Sequence, residues 1–527
     1  MEPKRNMYWV PIVMASCLAL GLYMGNLLTP QQEGSLNAGE ARFEKIQEVI
    51  QILDQRYVDS LDGDDVFEQM IGEMLHRLDP HSNYIPAEEL SAMNEMIEGK
   101  FGGIGIRFFI IRDTVCVTNV ISGSPSERVG LKAGDKIVKI DGKKVAGKRL
   151  CNDDLMGMLK GVEGTDVEVT VLRNKKYLTK RIERGTIPVE SISAAYMLTK
   201  DIGFIRIDQF SVMTATEFRV ASAELKSHGM KKLIIDLRDN GGGILTGATE
   251  IADEFLGANV PIVETRGVHS AKHVYRATSG GSLQNVKVAI LMNSNSASAS
   301  EILAGAIQDN DRGTIIGRRS FGKGLVQEDY MLNDGSNLRL TVARYYTPTG
   351  RCIQKPYSED YESYYEDHAE RYDNGELYAM DSTVFVDSLR FVTPGGRVVY
   401  GGGGIMPDIF VPYDSSGASW YLTELRYSTA FNTFAFDFVS GKRSNWKSAK
   451  DFNARFTVSD ELLNRFARYA EKYHGVKRNE AELRRSKRLI SKFLKAEIAR
   501  QIWLEEGFFQ VLNTSDVDVQ RALKELR

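Results

Sequence analysis

The feature that most constrains the fold is an apolar strand that runs through a serine-rich turn into a helix. The stretch VKVAILMN (286–293) has the composition of a buried strand, and NSNSASAS (293–300) leads into a helix predicted over 301–308. A similar unit precedes it, in which KKLIIDLR (231–238) runs into the glycine loop DNGGGIL (239–245). This alternation predicts a parallel α/β sheet, with both loops at the carboxyl ends of neighbouring strands, where ligand sites form.

The serine-rich turn raises the question of whether one of its hydroxyls is a nucleophile. A flexible linker would be flanked by further polar sequence, whereas this turn joins two apolar elements. A serine at such a turn lies beside the first amides of the helix, which favour developing negative charge. Serines also cap helices, so spacing alone leaves catalysis and capping equally open for Ser294, Ser296, Ser298 and Ser300.

A nucleophilic serine needs a base that activates it. No histidine is tied to the turn by its spacing, but Lys323 lies between two glycines in RSFGKGLVQ (319–327). A lysine accepts a proton only when it is neutral, so burial would have to lower its pKa from about 10.4 towards 7. Lys323 is therefore the candidate base, provided that it is not a solvated surface residue.

The region between 99 and 186 has a different pattern, with short strands around the run GLKAGDKIVKIDG (130–142). This run resembles PDZ domains. In such domains an extended peptide adds to a sheet edge, and backbone amides of a glycine-containing loop hold its terminal carboxylate. The resemblance places that loop in FGGIGI (101–106), with Gly103, Ile104, Gly105 and Ile106 as the carboxylate-binding residues.

Four motifs together resemble the carboxyl-terminal processing peptidases of family S41, which are serine proteases with a Ser-Lys dyad. They are LDPHSNY (78–84), LRDNGGGIL (237–245), the run from SASASE to GKGLVQ (296–327) and LTVARYYTPTGRCIQ (340–354). The resemblance implies an α/β multidomain protein. Its protease core would have the ββα (crotonase/ClpP-like) fold, with an inserted PDZ domain.

The resemblance also assigns the catalytic roles. In the family the nucleophile is the middle serine of S-A-S-A-S-E, which is Ser298 here, and the lysine follows twenty-five positions later, at Lys323. A glutamine four residues after the lysine orients it, and Gln327 occupies that position. Glu301 is interpreted as acidic charge in the first helical turn as readily as a part of the catalytic site.

The family's oxyanion hole consists of two backbone amides. The resemblance assigns these to Ala299 and Gly243, with Gly242 as the less favoured alternative, while Gly241 stands where the family more often has proline or serine. No metal ion or other cofactor is implied. His81 is interpreted as an ordinary turn residue because no third ligand lies near it in the sequence.

The N-terminal segment predicts a membrane anchor over residues 1–30. Lys4 and Arg5 precede an uncharged apolar stretch at 7–28, which is long enough to cross a bilayer. Positive charge before the span favours export of the chain that follows. We therefore expect a bacterial cell-envelope protein, anchored in the inner membrane with its catalytic part in the periplasm or on the exported side, and a cleaved signal peptide is the alternative.

The remaining organisation follows from composition and periodicity. The segment 355–397, which simpler family members lack, is rich in Tyr, Asp and Glu, and we interpret it as a solvated insertion rather than a docking surface. The predicted domains are a helical lead-in (31–98), the PDZ domain (99–186), the peptidase core (187–412) and a C-terminal helical domain (413–527).

These observations favour an exported serine endopeptidase that binds substrate C-termini through its PDZ domain and hydrolyses peptide bonds. The alternative is a non-catalytic peptide-binding module or PDZ adaptor on a peptidase-like fold, and the intact Ser298, Lys323 and Gln327 argue against it. The formal net charge of −3 offers no basic excess for nucleic acid. The expected partners are protein or peptide substrates with accessible C-termini and the membrane, and further candidates are an adaptor protein and a second copy of the chain.

Overall fold

A computed structural model describes residues 38–60, 63–357, 361–380 and 387–527, together with residue 15. Apart from that residue, the anchor predicted over 1–30 lies outside the described part of the chain. Among the described helices, none is both long enough and apolar enough to cross a membrane.

The chain forms two compact units, residues 1–73 and 74–527. The first contains α1 (Ala38–Arg56) and most of α2 (Gly63–His76). Apolar side chains at helical spacing, such as Ile46, Val49 and Phe67, are substantially exposed on these two helices.

The second unit contains all the strands of the described residues and the remaining helices. Its strands are β1 (Asn83–Ile85), β2 (Lys100–Gly103), β3 (Ile106–Ile111), β4 (Thr114–Val120), β5 (Lys136–Ile140), β6 (Lys143–Lys144), β7 (Asp166–Arg173), β8 (Lys176–Glu183), β9 (Gly185–Pro188), β10 (Ile192–Met197), β11 (Ile202–Ile207), β12 (Lys232–Asp236), β13 (Pro261–Arg266), β14 (His273–Arg276), β15 (Lys287–Met292), β16 (Gly313–Gly317), β17 (Leu325–Met331), β18 (Asn337–Tyr346), β19 (Arg390–Val392), β20 (Val398–Tyr400) and β21 (Ile409–Phe410). Its helices are α3 (Ala87–Glu98), α4 (Pro125–Arg128), α5 (Asn152–Leu159), α6 (Thr214–Ser227), α7 (Leu245–Asp253), α8 (Ala299–Asp309), α9 (Tyr361–Asp373), α10 (Trp420–Tyr427), α11 (Ala430–Val439), α12 (Ala449–Arg455), α13 (Asp460–His474), α14 (Glu480–Leu512) and α15 (Val517–Leu526).

A six-stranded sheet with the order β10-β11-β12-β15-β16-β21 forms the centre of this unit. β10 is antiparallel to β11, and the strands from β11 to β21 are parallel. Parallel strands are covered on both faces, which explains the nearly continuous apolar runs in the sequence.

Each face of the central sheet has its own apolar core. On one face, residues such as Ile235 and Ile290 pack against α6, α7 and α8. On the other face, Ile234, Leu291 and their neighbours pack against the C-terminal helix α15. Because side chains alternate along a strand, successive residues of one strand stabilise two different layers.

Two further sheets flank the central one. β17 pairs with β18, which also pairs with β1 and β13, so the turn at 79–82 before β1 lies at the edge of this second sheet. β3, β4, β5, β7 and β8 form the main path of a separate sheet, in which β3 is an edge strand. This sheet surrounds its own core, which includes Val117, Ile137 and Val169.

The C-terminal helices α10 to α14 share an aromatic-rich core, in which Phe431 stacks on Phe466 with ring centroids 4.7 Å apart. Phe436 of this helical group also packs against Ile111 and Cys116 of the β3–β4 hairpin. The C-terminal helical region therefore contacts both the central sheet and the separate β-sheet.

Candidate active site

Three loops meet at the carboxyl edge of the central sheet. The register pairs Asp236 with Leu291 and Met292 with Gly317, so β12, β15 and β16 end side by side. The loops that follow them carry the glycines, the serines and Lys323. The sequence prediction that the first two loops lie at neighbouring strand ends is confirmed.

The serine-rich turn distinguishes Ser298 from its neighbours. Ser296 Oγ donates to the carbonyl of Leu237 at 2.7 Å, and Ser300 Oγ donates to that of Asn240 at 3.0 Å, and both serines are buried. Ser298 is partly exposed and has φ +55° and ψ −114°, a backbone region that non-glycine residues rarely adopt. Such strain is typical of sites where a side chain must be presented to a substrate.

The glycine loop approaches this turn so closely that two of its positions exclude a side chain. A Cβ at Gly242, where φ is +102°, would lie 2.7 Å from Ser298 Cβ. A Cβ at Gly243, where φ is +135°, would lie 2.0 Å from the carbonyl oxygen of Phe210. Only glycine therefore fits both positions, and at Gly242 the backbone of the loop passes directly beside Ser298.

The hydrogen bonds of the loop bear on the choice between the two predicted oxyanion donors. The N–H of Gly242 donates to Asn240 Oδ1 at 2.8 Å. The amides of Gly243 and Ala299 have no hydrogen-bond acceptor within the described residues. This arrangement leaves Gly243 and Ala299, rather than Gly242, available to a substrate oxygen.

Lys323 lies in an environment that disfavours its charged form. Burial is the main reason that its pKa falls from 10.5 to about 8, and the nearby charge of Arg339 adds to this effect. The carboxylates of Asp79 and Glu301 act in the opposite direction. A substantial fraction of the amine is therefore neutral near pH 8.

The amine of Lys323 is held by Gln327. Lys323 Nζ donates to Gln327 Oε1 at 2.8 Å, and no hydrogen bond to Ser298 Oγ is present between these described side chains. A neutral amine that donates to an amide oxygen retains its lone pair for a proton. Gln327 thus occupies the orienting position that the family resemblance implied.

Glu301 is buried completely, which a solvated first-turn charge would not be. Its Oε1 accepts from Ser320 Oγ at 2.5 Å and from Gly322 N at 2.7 Å, while Oε2 accepts from the backbone amides of Ser298 and Lys323. Burial raises the pKa of this carboxyl to about 7, although its hydrogen-bond donors favour the ionised form. Glu301 therefore joins the two loops that carry the candidate nucleophile and base.

The turn at 79–82 is the part of the site that sequence reasoning missed. Gln327 Nε2 donates to the backbone carbonyl of His81, and the buried carboxylate of Asp79 accepts from the amides of His81 and Ser82. Burial, followed by the charge of Lys323, lowers the pKa of His81 to about 3. His81 lies in a turn, as interpreted from the sequence, but that interpretation did not include the contact of its carbonyl with Gln327, for which the LDPHSNY motif was the available signal.

The predicted carboxylate-binding loop joins β2 to β3. Gly103 pairs with Gly185 of β9, and Ile106 begins the edge strand β3 opposite Val120. The carbonyls of Ile104 and Gly105 accept from the backbone amides of Ser126 and Ile121. The loop is thus fixed through its carbonyl groups, at one end of an edge strand that a peptide can extend.

Within the described residues, no group of three or more His, Cys, Asp or Glu side chains is arranged to hold a metal ion. The titratable groups of the site instead have partners within the protein. Hydrogen bonds engage Lys323, Glu301 and Asp79, and aromatic rings lie against His81. The site thus combines a partly exposed serine hydroxyl on one loop with a lysine amine of lowered pKa on another.

Comparison with protein-family models finds three matching regions in the chain. Residues 201–363 match peptidase family S41, residues 102–183 match the PDZ domain, and residues 421–504 match a family of unknown function, DUF8443. The chain therefore has an S41 peptidase region and a PDZ domain.

Among characterised proteins, the chain is similar to a carboxy-terminal-processing protease of Bartonella bacilliformis. The identity is 37% over 340 residues, which is 63% of this chain and 76% of the relative. It is also 34% identical over 318 residues to a probable CtpA-like serine protease of Staphylococcus aureus. That alignment covers 60% of this chain and 63% of the relative, just under two thirds of its length.

Two solved structures with similar sequences are the photosystem II D1 C-terminal processing protease and the PDZ domain of a Vibrio cholerae carboxy-terminal protease in complex with peptide. The first is 27% identical, covers 58% of this chain and 89% of its own, and has a TM-score of 0.33. The second is 28% identical, covers 17% of this chain and 97% of its own, and has a TM-score of 0.16. On the sequence identity to the Bartonella relative, this chain belongs to the carboxy-terminal-processing proteases of peptidase family S41.

Proposed function

We propose that the protein is an endopeptidase of the carboxyl-terminal processing type, with Ser298 as nucleophile and Lys323 as general base. The observation that carries the proposal is the combination of a strained, partly exposed serine with a largely buried lysine amine whose pKa is about 8. A structural serine needs no strained backbone, and an ordinary surface lysine stays charged at this pH.

In the first step, Ser298 Oγ attacks the carbonyl carbon of the scissile bond as its proton passes to the lone pair of Lys323 Nζ. The ammonium that forms keeps its hydrogen bond to Gln327 Oε1, which stabilises the charge without moving the amine. Since the amine donates to Gln327 rather than to Ser298 at rest, a rotation of one or both side chains must bring Oγ and Nζ together.

The carbonyl oxygen becomes an oxyanion in this step, and we assign its binding to the backbone amides of Gly243 and Ala299. Amides fixed in this way stabilise the transition state without reorganising. Lys323 then returns the proton to the leaving amine, which departs with the C-terminal fragment. Water, deprotonated by the same lysine, hydrolyses the remaining acyl-enzyme ester and frees Ser298.

Substrate capture is assigned to the PDZ domain. The amides around Gly103 to Ile106 would bind the terminal carboxylate of a substrate, and the peptide would extend along the edge of β3. This binding mode requires a free C-terminus, so efficient cleavage should depend on the substrate's terminal carboxylate. The proposed setting is the exported side of a bacterial membrane, to which the predicted N-terminal anchor would tether the chain.

The test compares cleavage of a quenched fluorescent peptide by the full chain in detergent with cleavage by Ser298→Ala and Lys323→Ala. Each variant should lose activity by at least about 10³-fold, because the residual rate comes only from binding and the oxyanion hole. Ser279→Ala changes an exposed serine outside the site and should cleave at the wild-type rate.

A second substrate with an amidated C-terminus tests the capture step. Its cleavage should have a raised KM but a similar kcat, because the amide lacks the terminal carboxylate while the scissile bond is unchanged. Equal activity of the wild type and both site variants would remove Ser298 and Lys323 from the mechanism, and no cleavage by the wild type would support the non-catalytic peptide-binding module. Equal KM values for the two peptides would remove the capture role of the PDZ domain.

A further inference from the structure

The segment 355–397 is not solvated on its inner side, contrary to the sequence interpretation. Tyr364 and Arg371 of α9 are 4% and 2% exposed, and Lys355 and Glu376 are also buried. Burying charged groups without partners is unfavourable by several kcal/mol per ion. The inner side of this segment must therefore make specific contacts.

Arg371 contacts the loop that precedes Lys323. Its Nη1 donates to the carbonyl of Ser320 at 2.9 Å and to that of Arg319 at 3.3 Å, and its Nη2 donates to that of Phe321 at 3.3 Å. The loop between β16 and β17 is not paired in a sheet. Consecutive carbonyls that lack a strand partner are thus bound by one planar guanidinium, which fixes their spacing.

Ion pairs anchor this contact on the side of the insertion. Asp367 lies 2.9 Å from Arg371 Nη2, and Glu376 binds the guanidinium of Arg319 with contacts of 2.6 and 2.7 Å. The loop is therefore held twice, through its own arginine and through its carbonyl groups. Both holding residues, Arg371 and Glu376, lie beyond the region that matches peptidase family S41, which ends at residue 363.

The same helix also holds the turn that orients Gln327. The hydroxyl of Tyr364 lies 3.0 Å from His81 Nε2, and the hydroxyl of Tyr365 donates to the carbonyl of Pro80 at 2.8 Å. The backbone carbonyl of His81 accepts from Gln327 Nε2, and the side-chain oxygen of the same glutamine, Oε1, accepts from Lys323 Nζ. A shift of α9 would thus move both the base loop and the residue that orients the amine.

An aromatic cluster closes the space between these elements. The rings of His81 and Tyr364 are 5.2 Å apart, those of Phe321 and Tyr364 5.8 Å, and those of His81 and Phe321 6.5 Å. Tyr364 is the member that the insertion contributes. Without it, water would reach the turn at His81 and the loop just before Lys323.

We propose that α9 is a clamp for the general base, in which Arg371 and Tyr364 are positioning residues. Arg371 fixes the loop that carries Lys323, and Tyr364 fixes the turn at 79–82 and excludes water from it. The inference depends on the proposed role of Lys323 and extends it to residues beyond position 363, where the match to peptidase family S41 ends. Neither residue is assigned contact with the substrate.

The test uses Arg371→Met, Arg371→Lys and Tyr364→Phe in the full chain. Methionine retains the apolar stem of arginine but none of its donors, lysine restores the charge but not the planar fork, and phenylalanine retains the ring but not the hydroxyl. Tyr372→Phe is the matched control because Tyr372 lies exposed on the same helix.

Steady-state cleavage of the peptide is measured from pH 6 to 10. Arg371→Met should lower kcat about 10- to 100-fold with KM within about twofold, since a misplaced base slows chemistry rather than binding. The rising limb of kcat/KM should move up by about half a pH unit as water reaches the amine. Arg371→Lys should recover part of the lost kcat. Tyr364→Phe should have a kcat about 3- to 10-fold below the wild type, and the kcat of Tyr372→Phe should equal that of the wild type.

The pH limb belongs to Lys323 and not to a group that the substitutions alter. The charged and titratable groups facing the amine are Asp79, His81, Glu301 and Arg339, and all four are retained. A change in the limb therefore reports the solvation of the amine.

The clamp would be overturned if Arg371→Met or Tyr364→Phe lowered the melting temperature but left kcat and the pH limb unchanged. Arg371→Lys and Tyr364→Phe keep this test decisive even if Arg371→Met does not fold. Failure of the proposed function gives a different result, because Ser298→Ala would then cleave as fast as the wild type.

Discussion

The backbone amides of Ser298 and Lys323 donate to the same atom, Oε2 of Glu301, at 2.8 and 2.9 Å. Their carbonyl groups share a second partner, the hydroxyl of Tyr345, which donates to Lys323 O at 2.5 Å and lies 3.2 Å from Ser298 O. The two loops are therefore joined through their main chains. These contacts fix the backbones from which the Ser298 and Lys323 side chains project.

Glu301→Gln should abolish most of the activity with little loss of stability. In one orientation the carboxamide NH₂ would face the backbone amides of Ser298 and Lys323, and in the other it would face the amide of Gly322 and the hydroxyl of Ser320. In both orientations a donor replaces the acceptor. We expect kcat to fall about 10²-fold, as for a displacement of reacting groups by about 1 Å. The melting temperature should change little, because the substitution also removes a buried charge whose ionised form burial disfavours.

Glu328→Gln is the control for this prediction, since Glu328 is an exposed carboxylate on β17. It should leave both kcat and the melting temperature unchanged. A Glu301→Gln variant that retains wild-type kcat would show that the shared acceptor does not align the dyad.

The pH dependence of catalysis and stability should both follow Lys323. The amine is a base only when neutral, so kcat/KM should rise tenfold per pH unit and level off above about pH 8. A lysine whose pKa is lowered by folding destabilises the folded state fully at pH below about 8. That penalty declines as the pH rises from about 8 towards the ordinary value of 10.5.

Lys323→Met tests both consequences in one protein. We expect it to be inactive but to melt at a higher temperature than the wild type at pH 7, with a smaller difference at pH 10. Thermal unfolding at the two pH values provides the measurement. Lys231→Met, which changes an exposed lysine, is the control. A melting temperature that falls in Lys323→Met at pH 7 would contradict the assigned burial of the ammonium.

Two neighbouring glycines should respond oppositely to the same substitution. Gly243→Ala places a Cβ 2.0 Å from the carbonyl oxygen of Phe210 and forces φ of +135° on an L-residue, so its amide must move. Loss of one oxyanion donor lowers kcat about 10²- to 10³-fold, and we expect this effect at unchanged KM. Gly241→Ala meets no atom within 4 Å and should retain full activity.

Gly241→Ala should also stabilise the protein slightly, by about 0.4–1 kcal/mol, because alanine restricts the unfolded chain. Denaturant unfolding and peptide cleavage of both variants check the pair. Equal kcat for Gly243→Ala and Gly241→Ala would remove Gly243 from the oxyanion hole.

The parts of the site that the sequence predicted are those encoded by local patterns. Apolar runs identify β12 and β15, and the serine turn precedes a helix that the structure places at Ala299–Asp309. Because the carboxyl ends of parallel strands share an edge, the meeting of the two loops followed from strand order. The choice of Ser298 among four serines did not follow from spacing, but the structure distinguishes it by its backbone conformation and exposure.

The parts that could not be predicted depend on contacts between distant segments. The hydrogen bond between Gln327 and His81 spans 246 positions, and no local period encodes it. Glu301 looks like any acidic residue of a first helical turn until the loop with Lys323 closes over it. The tyrosine- and acid-rich composition around Arg371 is typical of a solvated segment, because composition does not reveal which face is buried.

Asp518, on the C-terminal helix α15, connects two of the loops at the edge of the sheet. Its carboxylate accepts from Arg238 Nη1 at 2.8 Å and from Arg318 Nη1 and Nη2 at 3.1 and 3.0 Å, and it is 2% exposed. Arg238 directly precedes the glycine loop, and Arg318 lies five residues before Lys323. One buried carboxylate thus binds arginines at the start of the glycine loop and of the loop that carries Lys323.

Asp518→Asn should therefore impair catalysis although the residue lies on a helix outside the peptidase core. Breaking a buried ion pair destabilises a protein by about 3–5 kcal/mol, and Asp516, which also binds Arg238, should keep the loss near the lower value. We expect kcat to fall about tenfold at a temperature where the variant is fully folded. Glu525→Gln, at an exposed position of the same helix, should change neither quantity. If Asp518→Asn lost stability but kept its kcat, α15 would support only the sheet and would have no part in aligning the glycine loop with the loop that carries Lys323.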